Sequence, residues 1–88
     1  MYKVVFNQSA KKDLEKINTV YLVSISSYIK NLAENPRPFG SVKLSDSKNA
    51  YRIRVGIYRI IYTIEDDILT VEVIKIGHRG SVYKDYDG

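Results

Sequence analysis

Eighty-eight residues, 44% of them hydrophobic, suffice for one small globular domain over residues 1–88 and are too apolar for a disordered chain. Without cysteine there is neither a disulfide framework nor a thiolate zinc site, so packing alone must hold the fold. The net charge of +4 is modest but unevenly placed, with six cations and one acid (Asp46) between Arg37 and Ile64.

All arginines lie between positions 37 and 79, whereas the first 36 residues use only lysine as a cation. Arginine is the better bidentate phosphate ligand and lysine the commoner solubilising charge, so the pattern favours a polyanionic partner. A basic surface without function is the competing reading. No signal-peptide pattern opens the chain, and no apolar run approaches the roughly 20 residues of a membrane span. A soluble, cytoplasmic protein with no membrane partner is expected.

Tyr2 to Phe6 is β-rich and reads as a first strand. Ser9 offers a helix N-cap, and Ala10, Leu14 and Ile17 recur at helical spacing. Thr19 offers the cap of a second helix, Val20 to Glu34, with Leu22, Ile25, Ile29 and Leu32 as its buried stripe. Pro36 and Pro38 end that helix, and the two helices suggest an antiparallel hairpin over a sheet. Phe39 to Asn49 reads as a loop anchored in the core by Leu44.

Tyr51 to Val55 alternates, with Tyr51, Ile53 and Val55 on one face and Arg52 and Arg54 on the other. Gly56 and Ile57 form a tight connection to Tyr58–Ile64, an almost wholly apolar run interrupted by Arg59, as befits a central strand. Glu65 to Asp67 is a solvated turn. Leu69 to Ile76 follows, with Val71, Val73, Ile74 and Ile76 as core candidates; Gly77 is expected to break it before His78 and Arg79. The expected architecture is α+β: a strand, two helices, then a three-stranded antiparallel meander.

Arg52, Arg54 and Arg59 are placed to converge on one sheet face, where they repel unless an anion joins them. An ordinary solvated strand face explains Arg52 and Arg54 equally well, but a lone cation inside the run Tyr58–Ile64 is harder to dismiss. His78 is the single histidine and can move protons near neutrality, although a lone histidine is more often a plain surface residue. Arg79 can neutralise a phosphate, and Tyr83 can stack on a base or simply be buried. With one histidine and no cysteine, no metal site or cofactor is expected. The reaction class that fits is metal-independent RNA cleavage, in which the substrate's own 2′-hydroxyl is the nucleophile.

The run YRIRVGIYRIIYTIEDDILTVEVIKIGHRGSVY resembles the RelE branch of the RelE/ParE toxin superfamily, as do the opening KVVFNQSAKKDLEKI and the helix ending ENPRP. The segment YRIRVG-x-YRIIY is shared across the superfamily; the ending IGHR-x-x-VY is more specific to ribosome-dependent mRNA endonucleases. The resemblance implies the toxin of a type II toxin–antitoxin system. It would enter the ribosomal (30S) A site, cleave mRNA there, and be silenced by a cognate RelB-like antitoxin. It further implies that Arg52 and Arg54 contact RNA, Arg59 stabilises the transition-state phosphate, Arg79 lies near the leaving group and Tyr83 orients the 2′-hydroxyl or stacks on the nucleotide.

Some relatives carry lysines at the first two of these positions. Arginine stays protonated, so a general base there is excluded, and His78 becomes the candidate proton carrier with Tyr83 next. Two other readings stand beside this one: a ParE-like DNA gyrase inhibitor without nuclease activity, and a degenerate homologue that only binds its antitoxin or RNA.

Overall fold

The computed structural model describes residues 1–78, so Arg79 and Tyr83 lie outside the described residues. Strand β1 (Lys3–Phe6) is followed by helices α1 (Gln8–Lys16) and α2 (Thr19–Asn31). Then come β2 (Val42–Lys43), β3 (Ala50–Val55), β4 (Tyr58–Glu65) and β5 (Thr70–His78). They form one sheet in the order β1-β5-β4-β3-β2. The expected meander β3-β4-β5 is antiparallel, while β1 adds parallel to β5, with Val4 opposite Val71 and Phe6 opposite Val73. The α+β architecture is as the sequence implies.

Both helices start one or two residues earlier than expected. Asn7 caps α1 by accepting from the Ala10 N–H at 2.8 Å, and Asn18 caps α2 by accepting from the Val20 N–H at 2.9 Å. Asparagine competes well with Ser and Thr at this position because its short side-chain oxygen reaches the orphan amides of the first turn. Helix α2 ends at Asn31, earlier than Glu34, and keeps Ile25, Ile29 and Leu32 buried. The presumed loop contains β2, which pairs Val42 with Arg52 and Lys43 with Tyr51. Leu44 is only partly buried and lies outside the main core cluster; its role there is to donate its N–H to the Ala50 carbonyl.

The helices cover one face of the sheet. On it Ile53, Val55, Ile60, Tyr62, Ile64, Val71, Val73 and Ile76 form the core with Ala10, Ile17, Ile25, Ile29 and Leu32. Their spacing on β5 matters, because Val73 and Ile76 are an odd number of residues apart and an unbroken strand would send them to opposite faces. A β-bulge solves this: Ile61 pairs with Lys75 but Tyr62 pairs with Val73, leaving Ile74 as the extra residue. Gly77 does not break the strand; it stays paired, opposite Arg59. Past the end of β1, α1 completes the outer edge of β5, since Asp13 Oδ2 accepts from the Ile76 N–H at 2.9 Å.

Candidate functional site

The hairpin β3–β4 sets the geometry of the arginines. Gly56 has φ +62 and Ile57 does not have positive φ, the pattern of a type II′ turn, which a glycine in the first central position permits. Val55 and Tyr58 close this two-residue turn, and the next pair outward is Arg54 with Arg59. The pair closing such a turn is hydrogen-bonded, so Arg54 and Arg59 form the non-hydrogen-bonded pair, with Cα atoms about 4.5 Å apart and side chains on the same face. Two like charges directly opposed weaken a sheet. Arg52 lies two residues along on that face, opposite Ile61. The three arginines that the sequence was expected to converge are thus on one side of the sheet, away from the helices.

They differ in depth. Arg59 is buried, at 7% exposure, Arg52 is half-buried and Arg54 is exposed. On the other flank of Arg59 stands Gly77, which brings no side chain to that face. The bulge brings a further cation that sequence alternation gives no sign of: Lys75 aligns with Ile61 and Arg52 on the same face. Its ammonium lies 3.7 Å from Asp13 Oδ1.

His78 is not part of this group. It pairs with Tyr58, whose side chain faces the helices, and the two rings pack with centroids 5.0 Å apart. Tyr58 in turn meets Tyr21 of α2 edge-on at 5.4 Å. The register therefore puts the histidine on the opposite face of the sheet from Arg54 and Arg59, and not beside the arginines it was expected to serve. The physical cause is the bulge, which reverses the alternation of β5 before residue 78.

Arg37, counted above with the basic stretch, is also elsewhere. Its guanidinium grips Asp66 at the far end of the sheet, with Nη2 to Oδ2 at 2.8 Å and Nη1 to Oδ1 at 3.3 Å. Its Nε donates to the Tyr51 hydroxyl at 3.1 Å, and Tyr2 donates its hydroxyl to Asp66 at 2.6 Å. The hydrogen bonds from Arg37, then that from Tyr2, hold the Asp66 carboxyl below its ordinary value. The bond to Asp66 in turn raises Tyr2 and Arg37. This network joins Tyr2 just ahead of β1, Tyr51 of β3, the connection from α2 to β2 and that from β4 to β5, and its cation is already neutralised.

Among the described residues, no three His, Asp or Glu side chains cluster as metal ligands, and no helix is long and apolar enough to cross a membrane.

Three comparisons bear on this arrangement. A family model described as the ParE toxin of the type II toxin–antitoxin system parDE matches residues 4–83. The chain is similar to Toxin RelG of Mycobacterium tuberculosis, with 27% identity over 84 residues, covering 94% of this chain and 97% of the relative. It is similar, at the same identity, to Toxin RelE of that organism, covering 94% of this chain and 87% of the relative. Among solved structures, the archaeal RelE–RelB complex from Pyrococcus horikoshii OT3 matches with a TM-score of 0.80 and 25% identity, covering 91% of this chain and 97% of that one. The toxin–antitoxin complex RelBE2 from Mycobacterium tuberculosis matches with a TM-score of 0.78 and 28% identity, covering 89% and 98%. With the fold, the sequence motifs and a family model spanning nearly its whole length in agreement, the chain belongs to the ParE toxin family of type II toxin–antitoxin systems, within the RelE/ParE superfamily.

Proposed function

We propose that this toxin is an mRNA interferase: a ribosome-dependent, metal-independent endoribonuclease that cuts mRNA in the A site and is silenced by a cognate RelB-like antitoxin. The observation that carries the reading is the Arg54–Arg59 pair, two arginines opposed across a hairpin on one sheet face, with Gly77 on the far flank. Such a pair suits a phosphodiester, whose non-bridging oxygens gain charge in the transition state. Solved complexes of RelE with RelB among the similar structures support the antitoxin.

In the reaction, the 2′-oxygen of one nucleotide bonds to the adjacent phosphorus as the bond from phosphorus to the 5′-oxygen breaks. The 2′-hydroxyl loses its proton and the 5′-oxygen gains one, leaving a 2′,3′-cyclic phosphate and a 5′-hydroxyl. Arg59, with Arg54 at the rim, stabilises the phosphorane charge, while Arg52 helps hold the RNA. None of them can accept a proton, because guanidinium stays protonated. Arg79 near the leaving 5′-oxygen and Tyr83 beside the 2′-hydroxyl keep the roles the resemblance gives them. With His78 on the other face, the proton-carrying role passes to Tyr83.

Primer extension on mRNA from translating ribosomes tests the reading. New 5′ ends within codons are expected with the native toxin, and Arg59→Ala should reduce cleavage by about 100- to 1,000-fold, the scale seen when one oxyanion donor is removed. Because the matching family model is described by its ParE member, a gyrase-directed toxin is the second reading. Intact mRNA together with impaired DNA supercoiling would establish it instead.

A further inference from the structure

We infer that a groove between α2 and the open edge of β3 is a nucleotide subsite, in which a base of single-stranded RNA stacks on Phe39 and Tyr28 while its phosphate lies on Arg54. The inference extends the RNA-directed reading above and adds two residues to it. The groove has a volume of about 290 Å³ and is lined by Tyr28, Phe39, Gly40, Arg52, Ile53 and Arg54. That is the lower end of the roughly 300–1,000 Å³ typical of small-ligand sites, a size for one nucleotide unit.

Three features point to this occupant. Phe39 is 105% exposed and Tyr28 45%, so neither ring serves the core, and both are available as stacking platforms. The lining holds two arginines and no acid, which matches a phosphate joined through ribose to a stacking aromatic base. The third feature is main-chain. The Ala50 carbonyl faces outward to accept from Leu44, so by strand alternation Arg52 and Arg54 also turn their N–H and C=O groups to that edge. Strand β2 meets Arg52 but ends there, which leaves the Arg54 N–H at an open edge.

A protein strand fits the same place poorly. Between Ile53 and Val55 only Arg54 presents backbone groups outward, so an added strand would gain one residue of ladder, whereas a nucleotide needs no more than that. Gly40, at φ +96, has nothing within 4 Å of the position a Cβ would occupy, so the loop wall of the groove is open to an incoming ring.

The chain has no tryptophan, so Phe39→Trp places a single indole in the groove. The probe is fluorescein-labelled 2′-O-methyl hexa-adenylate for anisotropy, and the same oligomer unlabelled for tryptophan emission; lacking a free 2′-hydroxyl at each linkage, neither is cleaved. Phe39→Ala and Tyr28→Ala should each weaken binding by about 5- to 150-fold, the range that loss of one base–aromatic stack implies. Phe39→Tyr should bind as the native chain does, and Phe39→Trp should bind with quenched emission. Native affinity in Phe39→Ala with no quenching in Phe39→Trp would overturn the subsite, and so would quenching by an acidic peptide but not by the oligomer. Because the probe is not cut, quenching without mRNA cleavage would sustain the subsite and fell the nuclease reading, whereas cleavage without quenching would do the reverse.

Discussion

Arg54 and Arg59 carry the same group in different surroundings, and the difference decides how each responds to change. Arg59 sits in the central strand, buried between Arg54 and Gly77, so its truncation removes a fixed donor from the site. Arg54 is exposed at the rim, where its attraction for phosphate is screened by salt. His78 is separated from both by the sheet itself. His78→Ala is therefore expected to leave the pH dependence of cleavage unchanged, with only a small loss of stability from the Tyr58 ring contact. A changed pH–rate profile in that variant would return the proton-carrying role to the histidine.

At the scale of elements, β4 is the axis: it pairs on both sides and buries nearly every side chain. Tyr62 ties it to the turn after α2, its hydroxyl donating to the Pro36 carbonyl at 2.8 Å while its ring stacks on Tyr51. Burial first, and the nearby Tyr51 hydroxyl next among the raising influences, push the Tyr62 phenol up from 10.0 to about 12. An acid whose folded-state value is raised stabilises the fold below its unfolded value and ceases to do so as pH climbs through the folded one. Stability should accordingly fall between about pH 10 and 12, read by urea unfolding alongside tyrosinate absorbance. Tyr62→Phe should lose that alkaline dependence and, at neutral pH, about 1–3 kcal/mol, since a buried carbonyl is left without its donor. An unchanged alkaline profile in the variant would show that another group controls it.

Across the whole molecule, charge is divided between two ends of the sheet. The Gly56–Ile57 end presents Arg54 and Arg59, and the opposite end locks Arg37 onto Asp66. Arg37→Ala should leave mRNA cleavage near native while altering acid stability. The Asp66 carboxyl is held below its ordinary 3.8, so the network's contribution is present above that value and is lost as pH falls through the lowered one. Thermal unfolding of the native chain and of Arg37→Ala should converge in acid below that range; a difference that persists there would place the effect elsewhere. A marked loss of cleavage in Arg37→Ala would mean that the two ends are coupled.

Much of this was legible in the chain. The apolar run Tyr58–Ile64 could only be a central strand, the alternation of Tyr51–Val55 put Arg52 and Arg54 on one face, and the prolines ended α2, because these depend on local periodicity and backbone sterics. The sequence motifs likewise determined the family. What the sequence did not carry was register. One extra residue at Ile74 moves Ile76 and His78 to the helical face and brings Lys75 and Gly77 to the arginines, and nothing in local alternation announces it. The bulge exists because Val73 and Ile76 must both reach the core, a demand set by the helices packed across the sheet. Arg37 shows the same limit, since it found Asp66 across 29 residues of chain by tertiary proximity, which no charge count along the sequence can express.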